Sequence, residues 1–367
     1  MLLPDSGHLQ EEDARYANKK GFSRHKPALP LYTYEDALSS LNLFRTVDES
    51  KPLELSSHFS LRFFRAGHIL GARSIEITVR ENGSSRRVVF SGDLGRYNQL
   101  LIKEPQTPDG ADMLLVESTY GDRRHPADDY RARLASIAEA TSSRGGSLVI
   151  PAFAVGRTQE LLYIFREIIG KQIRSLPIHV DSPMAIDATG LYLRHHEDHN
   201  LEIEDFERRG MKPFSPPDVH FDRSPEESKA LNESREPMII ISASGMATGG
   251  RVLHHLERCL PDSRNTVLFV GYQGEGTRGR VIQSRAATVK IHGRDVPIRA
   301  QSESMENLSG HADSAEILRW LRGFRSPPRK AYLVHGEPPG CQALQKKITQ
   351  ELGWDVEVRR YLEQVPL

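Results

Sequence analysis

The chain has 367 residues, is 38% hydrophobic and 27% charged, and carries 49 basic and 49 acidic residues. This composition is typical of a globular protein and argues mildly against a nucleic-acid binder, although a local basic groove remains compatible with it. No apolar run is long enough to span a membrane, and two cysteines provide no disulfide framework, so we expect a cytoplasmic protein.

The pattern of predicted elements changes twice along the chain. The first 50 residues are typical of helix and loop, and residues 61–117 contain short β-rich runs separated by the turn sequence ENGSS. From about residue 124, helices and strands alternate, which predicts a parallel-rich α/β sheet, and residues 193–236 are charged and irregular. Strands return after about residue 287. The length and this order predict two domains, or one domain with a large insertion.

Histidine is the commonest metal ligand, and the chain has fifteen histidines. His195, His196 and His199 lie in the charged stretch, whereas His254 and His255 lie on a predicted helix. We expect these five side chains to be solvated and to have no chemical role, because most polar residues lie on the surface.

Three other histidines have a different setting. His68, His311 and His335 follow an apolar run or precede a helix, and each has glycine beside it, in AGHILGA, LSGHAD and LVHGEP. Asp93 in SGDLG and Glu117 in VESTYGD also follow predicted strands. Because functional sites are often built at strand ends, these residues are predicted to converge. For any one of them alone, a purely structural role is slightly favoured.

In chain order, the segments GHILGA, SGDLG, ESTYGDR, SGHAD and VHGE resemble the metallo-β-lactamase superfamily and, within it, the β-CASP nucleases. The resemblance continues through PAFAVGRTQELLY, DSPMA, SASGMATGGRVLHHL and FVGYQGEGTRGR, and so covers nearly the whole chain. It implies an α/β fold, a metallo-β-lactamase αββα sandwich with an inserted α/β β-CASP domain. The implied divisions are 1–122 and 287–367 for the sandwich and 123–286 for the insertion.

The resemblance also implies roles for the site residues. His68 would bind one zinc ion, Asp93 would bridge two, and His335 would bind the other. His311 would act as general acid or phosphate contact, with Glu117 orienting the opposite histidine, so that His311, Glu117 and Asp93 form the catalytic set. Two zinc ions would polarise a phosphodiester and activate water for its cleavage.

Two glycine-rich loops in the insertion are predicted to bind substrate phosphate. SASGMATGGR places Ser244, Gly245 and Thr248 at a predicted strand-to-helix junction, where free N–H groups favour anions. GYQGEGTRGR contributes Arg278 and Arg280. For either loop in isolation, a simple tight turn is the more common explanation. Arg157 also resembles a family position, but an arginine at a helix start is more often on the surface.

The family's H-x-H-x-D-H stretch, which supplies four metal ligands, does not occur in this sequence, and HHEDH at 195–199 has a different order. The chain resembles family sequence that lies downstream of that stretch, as an N-terminally truncated sandwich would. We therefore expect weak zinc binding and poor RNA cleavage, since zinc normally takes three or four protein ligands. An exposed sheet edge and self-association are expected as well.

The leading interpretation is a zinc-dependent exo- or endoribonuclease that acts on RNA, with single-stranded RNA favoured and a homodimer left open. The alternative is a non-catalytic RNA-binding or partner-binding paralogue that retains the phosphate clamp. A small-molecule hydrolase of the same superfamily is a third reading, although it would not need the long insertion. DNA also stays open as substrate, because no motif here reads a 2′-hydroxyl.

Overall fold

The computed structural model describes residues 1–21, 23–173, 176–200, 205–206, 208–360 and 362–366. Its strands are β1 (Leu53–Glu54), β2 (Phe59–Arg65), β3 (Arg73–Glu81), β4 (Ser84–Phe90), β5 (Met113–Glu117), β6 (Leu148–Pro151), β7 (Ile178–Val180), β8 (Val219–Phe221), β9 (Ile239–Ser242), β10 (Thr266–Phe269), β11 (Thr288–Ile291), β12 (Arg294–Pro297), β13 (Gln301–Ser304), β14 (Lys330–Val334) and β15 (Val356–Val358). Its helices are α1 (Leu2–Lys20), α2 (Tyr34–Leu41), α3 (Tyr130–Ser143), α4 (Arg157–Ile168), α5 (Pro183–Tyr192), α6 (Pro225–Glu233), α7 (Val252–Cys259), α8 (Arg278–Gln283), α9 (Ser314–Leu321) and α10 (Pro338–Leu352), with a 3-10 turn at Glu306–Leu308.

Within the described residues, the first sheet has the order β1-β2-β3-β4-β5-β14-β15. Strands β2, β3 and β4 form the antiparallel meander predicted from the β-rich runs, and the turn between β3 and β4 falls at the predicted ENGSS sequence. From β4 onward the pairs β4–β5, β5–β14 and β14–β15 are parallel. The strands β2, β4, β5 and β14 therefore all run in one direction and end at the same edge of the sheet.

The second sheet, again among the described residues, has the order β13-β10-β6-β9-β7-β8, and all of its pairs are parallel. This confirms the sheet predicted from alternating helices and strands. Leu148 and Ile150 of β6 pack into one apolar cluster, whereas Val149 packs into another. Successive side chains on a strand point to opposite faces, so both faces of β6 are covered by apolar side chains.

The strand β13 bears on the predicted division of the chain. It lies beyond residue 287, in the part assigned to the C-terminal return, yet it pairs in parallel with β10 of the second sheet. The backbone N–H of Gln301 also donates to the carbonyl of Asn265 at 3.0 Å. The chain thus leaves the second sheet only after residue 304. Within the described part of the chain, no helix has both the length and the apolar character that crossing a membrane requires.

Two histidines that were expected on the surface are buried, and that prediction was wrong for them. His199 is 0% exposed and packs against the ring of Tyr192. His255 is 1% exposed because it shares the buried face of α7 with Val252, three residues before it, and Cys259, four residues after it.

His255 belongs to a buried polar cluster that joins the end of β7 to two helices. Asp181 follows β7 and accepts hydrogen bonds from His255 Nε2 at 2.6 Å, Ser228 Oγ at 2.5 Å and Arg251 Nη1 at 2.7 Å. Burial alone would raise the pKa of the Asp181 carboxyl, but these three donors outweigh it and hold the pKa below its ordinary value. The carboxylate therefore stabilises the packing of α6 and α7 against the sheet.

Replacing Asp181 by Ala should lower the free energy of unfolding by about 3–5 kcal/mol, because Arg251 and His255 would lose a buried acceptor. Urea unfolding measures this loss. The pKa of Asp181 is lower in the folded state than in the unfolded state. The stabilisation by Asp181 is therefore complete above the ordinary Asp pKa of about 4, and it is lost as the pH falls through the lower folded-state pKa. The control is Asp109→Ala, which removes an exposed partner of Arg325 and should cost less than about 1 kcal/mol. Equal losses in the two variants would contradict the argument.

Candidate metal centre

The predicted strand-end residues lie together at one edge of the first sheet. In the β5–β14 pair, Glu117 is opposite Val334, so His335 follows at the same level, and Asp93 follows β4 beside them. His335 Nδ1 lies 3.4 Å from Asp93 Oδ1, and His68 Nε2 lies 4.0 Å from Asp93 Oδ2. The Asp93 carboxylate therefore stands between two imidazoles that come from segments far apart in the chain.

Two glycines permit this close approach of loops. A Cβ on Gly95 would lie 1.7 Å from the carbonyl oxygen of Gly67, next to His68. A Cβ on Gly336 would lie 2.6 Å from the carbonyl oxygen of Ser118. Because these contacts are to backbone atoms that cannot swing away, any side chain would push the histidine-bearing loops apart.

His311 reaches the same place from the other side of the insertion. It forms an antiparallel bridge with Gly95, and its ring centroid lies 4.2 Å from that of His68. Gln99 holds the two loops together, because its Nε2 donates to the carbonyls of Gly67 at 2.7 Å and Gly310 at 3.1 Å. Sequence reasoning missed Gln99, since both of its partners are backbone atoms and no local motif marks it.

Buried Glu117 and half-buried His311 form an ion pair, with His311 Nδ1 3.1 Å from Glu117 Oε1. Burial favours the neutral ring, but the attraction of Glu117 is stronger and raises the pKa of His311 above its ordinary value. Burial would likewise raise the pKa of Glu117, yet His311 and a bond from Thr119 lower it. The pair is thus stable with the carboxylate charged and the imidazole protonated.

His68, in contrast to His311, favours the neutral form of its ring. Burial, together with repulsion from His311, lowers its pKa to about 4, so the ring is neutral near pH 7. Its Nδ1 is buried and has no hydrogen-bond partner among the described residues. A neutral imidazole beside a carboxylate is the donor set that a divalent metal prefers.

The described side chains fit a metal ion centred near Asp93. His68, Asp93 and His311 offer ligand atoms within 4.8 Å of one another, as do Glu117, His311 and His335. With His311 engaged by Glu117, the candidate ligands that remain are His68, Asp93 and His335, which the two groups divide between them. Three protein ligands suffice for one zinc ion, whereas two ions would have to share them.

These side chains form one wall of a cavity of about 710 Å³. The opposite wall comes from the second sheet and its loops, and it includes Phe153, Arg157, Glu160, Ser244 and Tyr272. Phe153 is 47% exposed although its ring is large and apolar. A Cβ on Gly245 would lie 2.8 Å from that ring, so glycine is needed for the loop to pack flat against it.

Arg157 begins α4 and was expected on the surface, but that expectation was wrong. Its side chain is only 9% exposed and forms an ion pair with Glu160 one turn further along. Both line the cavity, and burial raises the pKa of Glu160. Arg157 lines the cavity because the cavity extends to the start of this helix, and the position of a residue at a helix start does not reveal this.

The five residues predicted to bind phosphate differ in their position relative to the cavity. They are Ser244, Gly245, Thr248, Arg278 and Arg280. Ser244 lines the cavity, and its Oγ lies 2.9 Å from Thr248 Oγ1. Arg278 donates to the backbone carbonyls of Lys290 and Thr248, both at 2.8 Å, and so joins the loop that carries Thr248 to β11. Arg280 is exposed on α8. Helix α7 starts at Val252, so Ser244 and Thr248 precede it by a loop.

Two family models match the chain. The Beta-Casp domain matches residues 158–282, which lie in the second sheet and its helices. The Zn-dependent metallo-hydrolase RNA specificity domain matches residues 295–359, which contain His311 and His335.

Curated relatives match along most of the chain. Ribonuclease TTHA0252 of Thermus thermophilus is 38% identical over 339 residues, which cover 92% of this chain and 76% of the relative. The RNase J-like protein of Methanocaldococcus jannaschii is 30% identical over 340 residues, which cover 88% of this chain and 77% of the relative. Transcription termination factor FttA of Pyrococcus abyssi is 29% identical, and the chain spans 53% of its length. The chain therefore belongs to the metallo-β-lactamase superfamily and, within it, to the β-CASP family of RNA nucleases.

Proposed function

We propose that this chain hydrolyses RNA phosphodiester bonds with bound zinc, using the side chains on the wall of the cavity. The observation that supports this most is the convergence of His68, Asp93 and His335 beside the Glu117–His311 pair. The description of the matching family, a Zn-dependent metallo-hydrolase RNA specificity domain, supports both zinc and RNA. The ribonuclease relatives also support RNA as the substrate. Exonucleolytic and endonucleolytic cleavage both remain open.

In this proposal His68, Asp93 and His335 hold the metal, and a bound zinc ion supplies Lewis acidity toward a phosphoryl oxygen. His311 acts on the departing oxygen as general acid, because its Nδ1 bonds to Glu117 and leaves the other ring nitrogen to donate a proton. Glu117 fixes the orientation of the ring and stabilises its protonated form. Gln99 keeps the loops of the two buried histidines in place.

Single-stranded RNA is the form of substrate that the opposite wall suits best. Phe153 presents an exposed ring at the cavity, and unpaired bases stack on such rings. Ser244 lies on the same wall and can donate to a phosphate oxygen. Of the two arginines predicted to bind phosphate, Arg280 is the better candidate, because the guanidinium of Arg278 already donates to two carbonyls.

A second candidate function is RNA binding without catalysis. It is favoured by the small number of ligands near Asp93, since three side chains among the described residues cannot fully coordinate two zinc ions. Binding through Phe153 and Ser244 does not need the metal. The two functions therefore differ in metal content and in hydrolysis, and agree in affinity for RNA.

Three finer predictions stay proposals. They are the location in the cytoplasm, the formation of a homodimer, and the division of the chain at 122/123 and 286/287. The exposed apolar side chains at Leu29, Leu31, Leu43 and Phe44 are the candidate contacts for self-association.

The metal centre should bind zinc weakly. After dialysis against metal-free buffer, we expect it to retain less than about one zinc ion per chain, because its protein ligands are few. Elemental analysis of the wild type and of the double variant Asp93→Ala, His335→Ala measures this as a difference, so ions bound elsewhere cancel. A difference close to two ions would contradict weak binding. RNA hydrolysis in the same samples should be slow and should rise with added zinc.

His311→Ala should slow zinc-supported RNA hydrolysis by about 10²–10⁴-fold, the usual contribution of a general acid, while zinc content stays the same. Cleavage of a labelled RNA in excess zinc measures the rate. His8→Ala is the control, since His8 is exposed on α1 and its ion pair is with Glu12 of the same helix. An unchanged rate in His311→Ala would exclude the proposed proton transfer. Absence of cleavage in the wild type, with RNA bound, would favour the second function.

Phe153→Ala should weaken binding of a single-stranded RNA oligonucleotide by about 10-fold or more, the effect of losing one base–aromatic stack. Fluorescence anisotropy in metal-free buffer measures the affinity without cleavage. Phe44→Ala is the matched control, because Phe44 is 62% exposed and does not line the cavity. Equal affinities of the Phe153 variant and the wild type would place the RNA elsewhere.

A further inference from the structure

A second group of metal-ligating side chains lies where α7 meets the β11–β12 hairpin. His254 and Glu257 are three residues apart on α7 and so share one face of the helix. His292 lies at the tip of the hairpin, directly after β11. The ligand atoms of His254, Glu257 and His292 all lie within 4.8 Å of one another, and none of the three lines the central cavity.

The arrangement of these side chains is compatible with the binding of a cation. His292 Nδ1 lies 2.9 Å from Glu257 Oε2, and the rings of His254 and His292 face each other with centroids 4.5 Å apart. His254 is exposed on α7, so a cation can reach its ring from solvent. Two imidazoles held against one carboxylate form a common ligand set for zinc-type metals.

The hairpin turn also places the ring of His292 at a conformational cost. His292 has φ +47° and Gly293 has φ +78°, as in tight hairpin turns that normally use Asn-Gly or Gly-Gly. Ile291 and Arg294 close the turn as a cross-strand pair. Asn or Gly would adopt this left-handed backbone conformation more readily than histidine. With histidine at this position, the ring lies against His254 of α7.

A different pair of facing histidines shows what the group near α7 adds. His179 and His220 stack with centroids 4.8 Å apart, but each ring bonds to its own aspartate, Asp222 and Asp218. Among the described residues, these side chains do not form a group of three converging ligands. The proximity of two rings is therefore not the distinguishing feature; the shared carboxylate is.

We propose that His254, Glu257 and His292 form a binding site for a divalent transition metal such as zinc, separate from the metal centre near Asp93. The cation takes the place of the proton that His292 Nδ1 shares with Glu257, and water completes the coordination. Arg294, 3.8 Å from the other oxygen of Glu257, is 82% exposed and free to turn into solvent. The bound ion ties the hairpin to α7.

The consequence for the second sheet is local stabilisation. Helix α7 follows the loop that carries Ser244 and Thr248, and Arg278 bonds to carbonyls of both that loop and β11. A metal bridge between α7 and the hairpin would add a second link between the same parts. Zinc binding should therefore raise the temperature at which this part of the chain unfolds.

Isothermal titration with zinc chloride tests the site in the full chain. His292→Asn removes the ligand and keeps a residue suited to the turn, and His254→Gln keeps a good helix former. We expect each variant to bind one equivalent of zinc less than the wild type and to lose most of the zinc-induced rise in unfolding temperature. Glu257→Gln should weaken this step by about 10-fold or more.

His220→Asn is the matched control, since it removes an exposed histidine that faces another ring but shares no carboxylate with it. It should bind as much zinc as the wild type. Equal stoichiometry in His292→Asn and the wild type would overturn the proposal, as would an equal loss in His220→Asn, which would indicate nonspecific surface binding. Neither result depends on RNA hydrolysis, so the site can fail while the proposed function stands.

Discussion

The site depends above all on the register of two parallel strands that are far apart in the chain. Strand β5 ends at Glu117, and β14 returns more than 200 residues later with Val334 opposite it. This pairing alone puts His335 beside Glu117 and Asp93. A slip of one residue would turn the alternating side chains of β14 to the opposite face and remove Leu333 from the core cluster, so the apolar core fixes the register and, with it, the site.

The cavity is formed by the first sheet and the inserted second sheet together. His311 belongs to the segment that returns from the insertion, and it is held by a bridge to Gly95 and by the side chain of Gln99. The opposite wall of the cavity, with Phe153 and Arg157, is built from the insertion itself. Neither sheet alone encloses the cavity, which explains why residues with chemical character are spread over most of the chain.

Much of this could be predicted from the sequence, for a physical reason. Residues such as His68 and Asp93 follow strands and adjoin glycines, and loops that pack as closely as these need glycine. Gln99 and Arg157 escaped prediction because their roles depend on contacts across the fold rather than on local sequence. His255 was misplaced on the surface because its partner Asp181 lies 74 residues earlier, and only the folded sheet brings the two together.

One kind of contact, an imidazole bonded to a carboxylate, serves different ends according to its exposure. At His255 the side chain is 0% exposed, so the pair only stabilises packing. His311 is 17% exposed and lines the cavity, and the attraction of Glu117 outweighs burial and raises the pKa of its ring. At His292, with 37% exposed, a second imidazole faces the pair and a cation can enter from solvent. Exposure therefore separates the three cases: the bond to a carboxylate orients the ring in each of them, and the access of solvent to the ring decides whether it only packs or can take the roles that we propose for His311 and His292.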